Sequence, residues 1–159
     1  MALLERHQVE LASAALRAAE TAGGDLDIRV PAMIDAWFAY VEEHPYSWLL
    51  FRDTTNDPEV RALHRRLQAR QRANDVALLR AYAPAIPEPQ LEPLGEAVRS
   101  SLHGLALFWF DHPQLDRQVL TATMVRLVRG ILLTATSAAR STHLAAQHGD
   151  GGVGTTTSP

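Results

Sequence analysis

Polar side chains set among apolar ones are where chemistry would show first. His103 stands in an apolar run, LHGLALFWF. An imidazole there could bond a ligand or titrate near neutral pH, or it could be a core histidine satisfied by a neighbouring carbonyl. Gln71 and Asn74 interrupt an apolar line formed by Val60, Leu63, Leu67, Leu78 and Tyr82. Buried amides need partners, and a small molecule could supply them; if the helix leaves the core at that point, the two amides face water instead. His7 and Glu10 share a helix face, but a metal site needs more ligands than one such pair, and a solvated surface accounts for them equally. RALHRRLQARQR (61–72) carries five arginines and no acid. Arg61, Arg65 and Arg72 fall on one side of a helix and Arg66 and Arg70 on another. That split suits a solvated face better than an anion-binding stripe.

Other chemistry has no residues to carry it. No glycine-rich phosphate loop, G-x-S-x-G or H-E-x-x-H motif occurs, and no Glu is followed three residues later by His, as a helical di-iron site requires. The chain has no cysteine, which excludes disulfides, thiolate metal sites and a cysteine nucleophile. An enzyme is not expected, for lack of an acid–base pair or nucleophile; such a reading would fall back on His103 or Asp111. No metal or cofactor is expected either. The net charge is −3, with fifteen arginines and no lysine, a balance unlike that of a domain that itself grips DNA. Glu5 and Arg6 come too early for a signal peptide. The longest unbroken apolar run, Leu105–Phe110, is far too short to span a bilayer, so a cytoplasmic protein without a membrane segment is expected.

Elements that could position these residues are helical throughout. The 159 residues suit one domain with a core. Leu4, Val9, Leu11, Ala15 and Ala18 form a first stripe, stopped by Gly23-Gly24. Asp25 or Asp27 caps a second helix, with Pro31 in its first turn and Val30, Ile34, Trp37, Phe38 and Val41 on one face. Pro45 ends it and starts a short helix to about residue 52. Asp57-Pro58-Glu59 starts a helix over 58–82, and PAIPEP (84–89) is a stiff linker. A fifth helix covers 90–110, with an end apolar nearly all round that needs cover on more than one side. A sixth covers 115–140. The expected fold is all-α, about six helices in an antiparallel bundle. The domain is expected over 1–140, with a flexible tail over 141–159 that offers little apolar surface to offset its ordering entropy. The two His-Pro dipeptides both mark helix ends, and their contexts do not otherwise match.

The order of these segments resembles the TetR family of bacterial transcription regulators. ALLERHQVELASAALRAA, AWFAYVEEHPYSWLLFRD, DPEVRALHRRLQARQRANDVALLRAY and GLALFWFDHPQLDRQVLTATMVRLVRGIL carry the resemblance, over about residues 1–135. It is to the effector-binding and dimerisation part of the family. The helix-turn-helix module that family members carry ahead of this part is absent from the chain, so these residues are not expected to bind DNA themselves.

Several expectations follow from the resemblance. The helices around the Pro45 corner and the long helix after it would enclose a pocket for a small apolar or amphipathic ligand. Its lining would be Trp37, Phe38, Val41, Trp48, Phe51, Leu67, Gln71, Asn74 and His103. Aromatic residues at that spacing can also form a filled core. The last two helices would make a four-helix bundle with a second copy through Leu105, Phe108, Trp109, Leu120, Met124, Leu127, Val128 and Ile131, with Gly104 and Gly130 allowing close approach. The implied function is allosteric control of DNA binding by a homodimer that senses a small-molecule effector. The alternative is a stand-alone helical ligand-binding or dimerisation protein without DNA-binding activity.

Overall fold

The computed structural model of the chain describes residues 2–50 and 58–149. It contains five α-helices: α1 (Ala2–Ala22), α2 (Leu26–Glu43), α3 (Pro58–Tyr82), α4 (Glu88–Asp111) and α5 (Arg117–Gly149). A 3-10 turn, Pro45–Leu50, follows α2 and makes the sixth helical segment. No strand occurs among the described residues. The fold is all-α, as the helical periodicity predicts.

Each boundary has a local cause. Gly23 and Gly24 end α1 with φ of 60° and 70°, backbone angles that other residues rarely adopt. A Cβ at Gly24 would also lie 2.9 Å from Ile28 Cδ1. Asp25 is the cap of α2, its carboxylate accepting from the Asp27 N–H at 3.1 Å.

With Leu26 as the first residue of α2, Pro31 falls in the second turn rather than the first. Proline cannot bond the carbonyl four residues back, which leaves the Asp27 oxygen without its helical partner. Arg129 of α5 takes that place: Nη2 donates to the Asp27 carbonyl at 3.2 Å and lies 3.0 Å from the Asp27 carboxylate.

The two His-Pro dipeptides turn out to share a context. Each histidine ends a helix, its Nδ1 bonded to the carbonyl four residues earlier: His44 to Tyr40 at 2.8 Å, His112 to Phe108 at 2.9 Å. Each ring stacks on the aromatic ring of that same residue, at 3.9 Å and 4.0 Å between centroids. A carbonyl only accepts, so both rings carry their proton on Nδ1. The recurring unit is aromatic-x-x-x-His-Pro. It satisfies a last-turn carbonyl while the proline prevents the helix from continuing.

α5 overruns the expected end of the domain at 140 and continues to Gly149. SAARSTHLAAQ contains no helix breaker; of the tail expected over 141–159, residues 150–159 lie outside the described residues.

α1 packs along α2, α3 along α4, and α5 joins the two pairs by packing on both α2 and α4. The main core gathers Ile34, Phe38, Val41, Ala106, Trp109, Leu120 and Met124. A smaller one lies under the proline-rich connection, where Ile86, Leu91 and Ala135 meet. Arg117–Ala135 is long and apolar enough on average to cross a bilayer; in the fold its Leu120, Met124 and Val128 are core.

The Arg129 bond to α2 makes a testable prediction. Arg129→Met should cost about 1 kcal/mol in urea unfolding, and the cost should shrink in a Pro31→Ala background, where residue 31 regains its N–H. An equal cost in both backgrounds would show that the freed carbonyl is not what Arg129 serves.

Candidate functional site

The two helix pairs do not close on each other. Between them lies a cavity of about 180 Å³ to which all five helices contribute. α1 supplies Gln8, Leu11, Ala12, Ala15 and Leu16; α2 supplies Leu26, Val30, Met33, Ile34 and Trp37. α3 supplies Gln71, Asn74, Asp75, Leu78 and Leu79 across from them. α4 adds Gly95, Val98, Arg99, Leu102 and His103, and α5 adds Val128 and Leu132. Leu16 and Asn74 are also exposed at the surface, so the cavity reaches solvent there. An apolar cavity of about 150 Å³ holds a benzene ring, so this one suits a small molecule of that order. α3 and α4 pack closely at Gly95, where an added Cβ would make ordinary contact with that of Asp75 at 3.5 Å.

Apart from Gln8 of α1, the walls are apolar except at the α3–α4 side. Gln71 Nε2 donates to Asp75 Oδ1 at 2.9 Å, while Asp75 Oδ2 is buried with no hydrogen-bond partner. Burial pushes the Asp75 carboxyl up to about 6; the Gln71 bond and the Arg99 charge pull it back, and Glu96 adds to the rise. Arg99 is bound to both oxygens of Glu96 and places Nη1 at 3.3 Å from His103 Nδ1. A guanidinium only donates, so Nδ1 accepts and the neutral ring carries its proton on Nε2. Burial, aided by Arg99 and opposed by Glu96, brings His103 down to about 4. The ring is neutral at pH 7, which sets aside the possibility of titration near neutrality. It stacks near Trp37, at 6.2 Å and 21°.

Of the residues expected to line a pocket, the structure brings Trp37, Gln71, Asn74 and His103 together on this cavity. Phe38 and Val41 point away from it into the main core, at 0% and 1% exposure, and Phe38 meets Trp109 edge-on at 6.1 Å. Leu67 is half-buried but not on the cavity wall. The Trp48 side chain and Phe51 lie outside the described residues. The described wall is therefore built from the facing sides of α1–α2 and α3–α4 rather than around the Pro45 corner. Sequence reasoning missed Asp75 and Arg99. The available signal was spacing: Asp75 follows Gln71 by four residues and Arg99 precedes His103 by four, so each shares a helix stripe with a residue already singled out.

The expected dimer residues divide. Trp109, Leu120, Met124 and Val128 are buried within the single chain, in its core. Phe108 and Leu127 are exposed, and Leu105 and Ile131 half-buried. His7 and Glu10 do not form the plain solvated surface considered for them, since His7 Nδ1 lies 2.7 Å from the Tyr40 hydroxyl, which donates to Glu10 at 3.1 Å. Arg61, Arg65, Arg66 and Arg70 are exposed.

A family model described as "Tetracyclin repressor-like, C-terminal domain" matches residues 25–132 of the chain. The chain belongs to this family. The match opens at the Asp25 cap of α2 and closes at Leu132, the last cavity residue on α5. The part of the cavity wall built by α1 lies outside it. A comparison with curated proteins gives no match.

Within this TetR-like domain the two shifted groups on the cavity wall, Asp75 and His103, act on stability with opposite signs. Asp75 is raised from 3.8 to about 6, so the folded chain holds the extra proton in that window and stability falls as pH rises through it. His103 is lowered from 6.5 to about 4, so stability is lost as pH falls through that window. Asp75→Asn should stabilise the domain at pH 7 by about 1–2 kcal/mol, a figure reduced for the partial exposure of the residue, and the gain should vanish near pH 4. His103→Gln should tilt the profile the other way, with stability relative to wild type rising on acidification from pH 6.5 to 4. Urea unfolding across pH 4–7.5 reads both; parallel profiles for all three proteins would contradict the assignment.

Proposed function

We propose that the chain is the effector-binding and dimerisation part of a TetR-like, cytoplasmic bacterial transcription regulator. Its cavity would receive a small, largely apolar ligand, and occupancy would control DNA binding by a helix-turn-helix module elsewhere in the intact regulator. The observation that carries this reading is the cavity itself, of small-molecule size, with α1 as one wall. By the resemblance to the TetR family, α1 is the helix that leads toward the DNA-reading head. A ligand in contact with α1 on one side and α3 on the other biases how far apart those helices stand. Control needs only a difference in ligand affinity between two packings, typically about 1–3 kcal/mol.

Dimerisation is supported by what the fold leaves uncovered. Phe108 on α4 and Val119 and Leu127 on α5 are exposed. A Cβ at Gly104 or Gly130 would meet nothing within 4 Å. A second copy laid on the outer face of α4 and α5 would cover this surface. Trp109, Leu120, Met124 and Val128 would stay inside each protomer.

Two measurements test the reading. Sedimentation velocity should give a dimer, and Val119→Glu with Leu127→Glu should give a helical monomer. Binding of 1-octanol should raise the Tm of wild type but not of Val98→Phe, whose larger side chain fills the cavity. A wild-type monomer that ignores octanol would remove both supports.

A further inference from the structure

The polar side of the cavity specifies more than a generic apolar guest. Asp75 and Arg99 are the two residues of its wall that carry a formal charge at neutral pH, and their situations differ. The Arg99 guanidinium is committed to Glu96 through two hydrogen bonds, so its charge is matched where it stands. From α3, Arg72 adds a further cation beside Glu96, outside the cavity wall. Asp75 makes no ion pair among the described residues, and the Arg99 charge reaches it only from a distance. One oxygen accepts from the neutral Gln71 amide, and the other is buried without a partner. α1, α2 and α5 bring no charged residue to the wall.

A buried acceptor left unsatisfied is costly, and a ligand that donates to it removes that cost. A carboxylate ligand has no corresponding place. It would have to draw Arg99 away from Glu96, and His103 is neutral and offers no positive charge. Resting on the cavity reading above, we propose that the cavity takes an apolar molecule bearing a protonated amine, with the ammonium held by Asp75. The body of the molecule lies against Leu11, Val30, Trp37 and Leu102. Its head donates to the unpartnered Asp75 oxygen, and an ammonium brings both the donor and the charge that the carboxylate lacks.

Three probes of one chain length separate the possibilities. Isothermal titration at pH 7.5 with octylamine, 1-octanol and octanoate should rank them in that order, with the amine about tenfold or more ahead of the alcohol, as one charge-assisted hydrogen bond provides. Asp75→Asn should abolish the advantage of the amine over the alcohol. If octanoate binds as well as octylamine, or if Asp75→Asn leaves the ranking unchanged, the inference falls while the cavity reading stands. If none of the three binds, both fall.

Discussion

α2 is buried between α1 and α5, and this double burial dictates where the remaining helices can go. One side of α2 turns Phe38 and Val41 into the core shared with α4 and α5, both essentially without solvent contact. Burying a side chain of that size contributes roughly 1.5–3 kcal/mol. Another side turns Val30, Ile34 and Trp37 toward α1 and the cavity. Since α1 and α5 occupy the two faces of α2, α3 packs on α4 instead, and α4 joins the rest through α5, the 3-10 turn and the Phe38–Trp109 contact. The space between the pairs follows from this arrangement. It is a gap that the topology leaves and that side chains of ordinary size do not fill.

Polar contacts fix the angles at which these apolar faces meet. Arg117 at the start of α5 reaches Glu42 at 2.9 Å, and Arg129, three turns on, supplies the donor that Pro31 removes from α2. Trp109 closes the α4–α5 turn by donating Nε1–H to the Leu115 carbonyl at 2.9 Å. Exposed ion pairs contribute little energy, but each of these bonds has one partner that the backbone leaves unsatisfied or that sits at a helix end. Their effect is on geometry. A rotated α5 would carry Met124 out of the core and Val128 and Leu132 away from the cavity wall.

Helices were legible in the sequence because their signals are local: apolar spacing, double glycine, an Asp cap, proline at a start. Less legible were features that depend on a distant partner. Nothing near Pro31 says that Arg129 will stand opposite it, so the proline reads as a first-turn residue. Trp37 and Phe38 are neighbours with similar chemistry, yet one lines a cavity and the other fills a core; which side of α2 meets which helix is a tertiary fact. For the same reason the sequence does not say that Trp109 of α4 and Leu120 and Met124 of α5 meet α2 in the core of the single chain. Gln71, Asn74 and His103 were legible as polar interruptions of apolar lines. Asp75 was not, because an acid on a polar-rich helix reads as solvated until α4 is seen to cover it. His44 and His112 were missed as a pair through reading only their flanks and not the aromatic residue four positions back.

The buried carboxylate bears on how a ligand could act at a distance. Asp75 weakens the fold, since its charge is poorly solvated and one oxygen lacks a protein donor. Such a group persists where the surrounding structure holds it in place, and it is at functional sites that local rules of this kind are broken. On the proposed reading, a guest that satisfies Asp75 would relieve this penalty at α3 and at the same moment present an apolar body to Leu11 and Ala15 of α1 across the cavity. The polar contact would fix where the guest sits, and the apolar contact would transmit its size. Neither alone would link α3 to α1. Together they would make the distance between those helices depend on what lies in the cavity, which is the structural requirement for an effector to be felt beyond its own site.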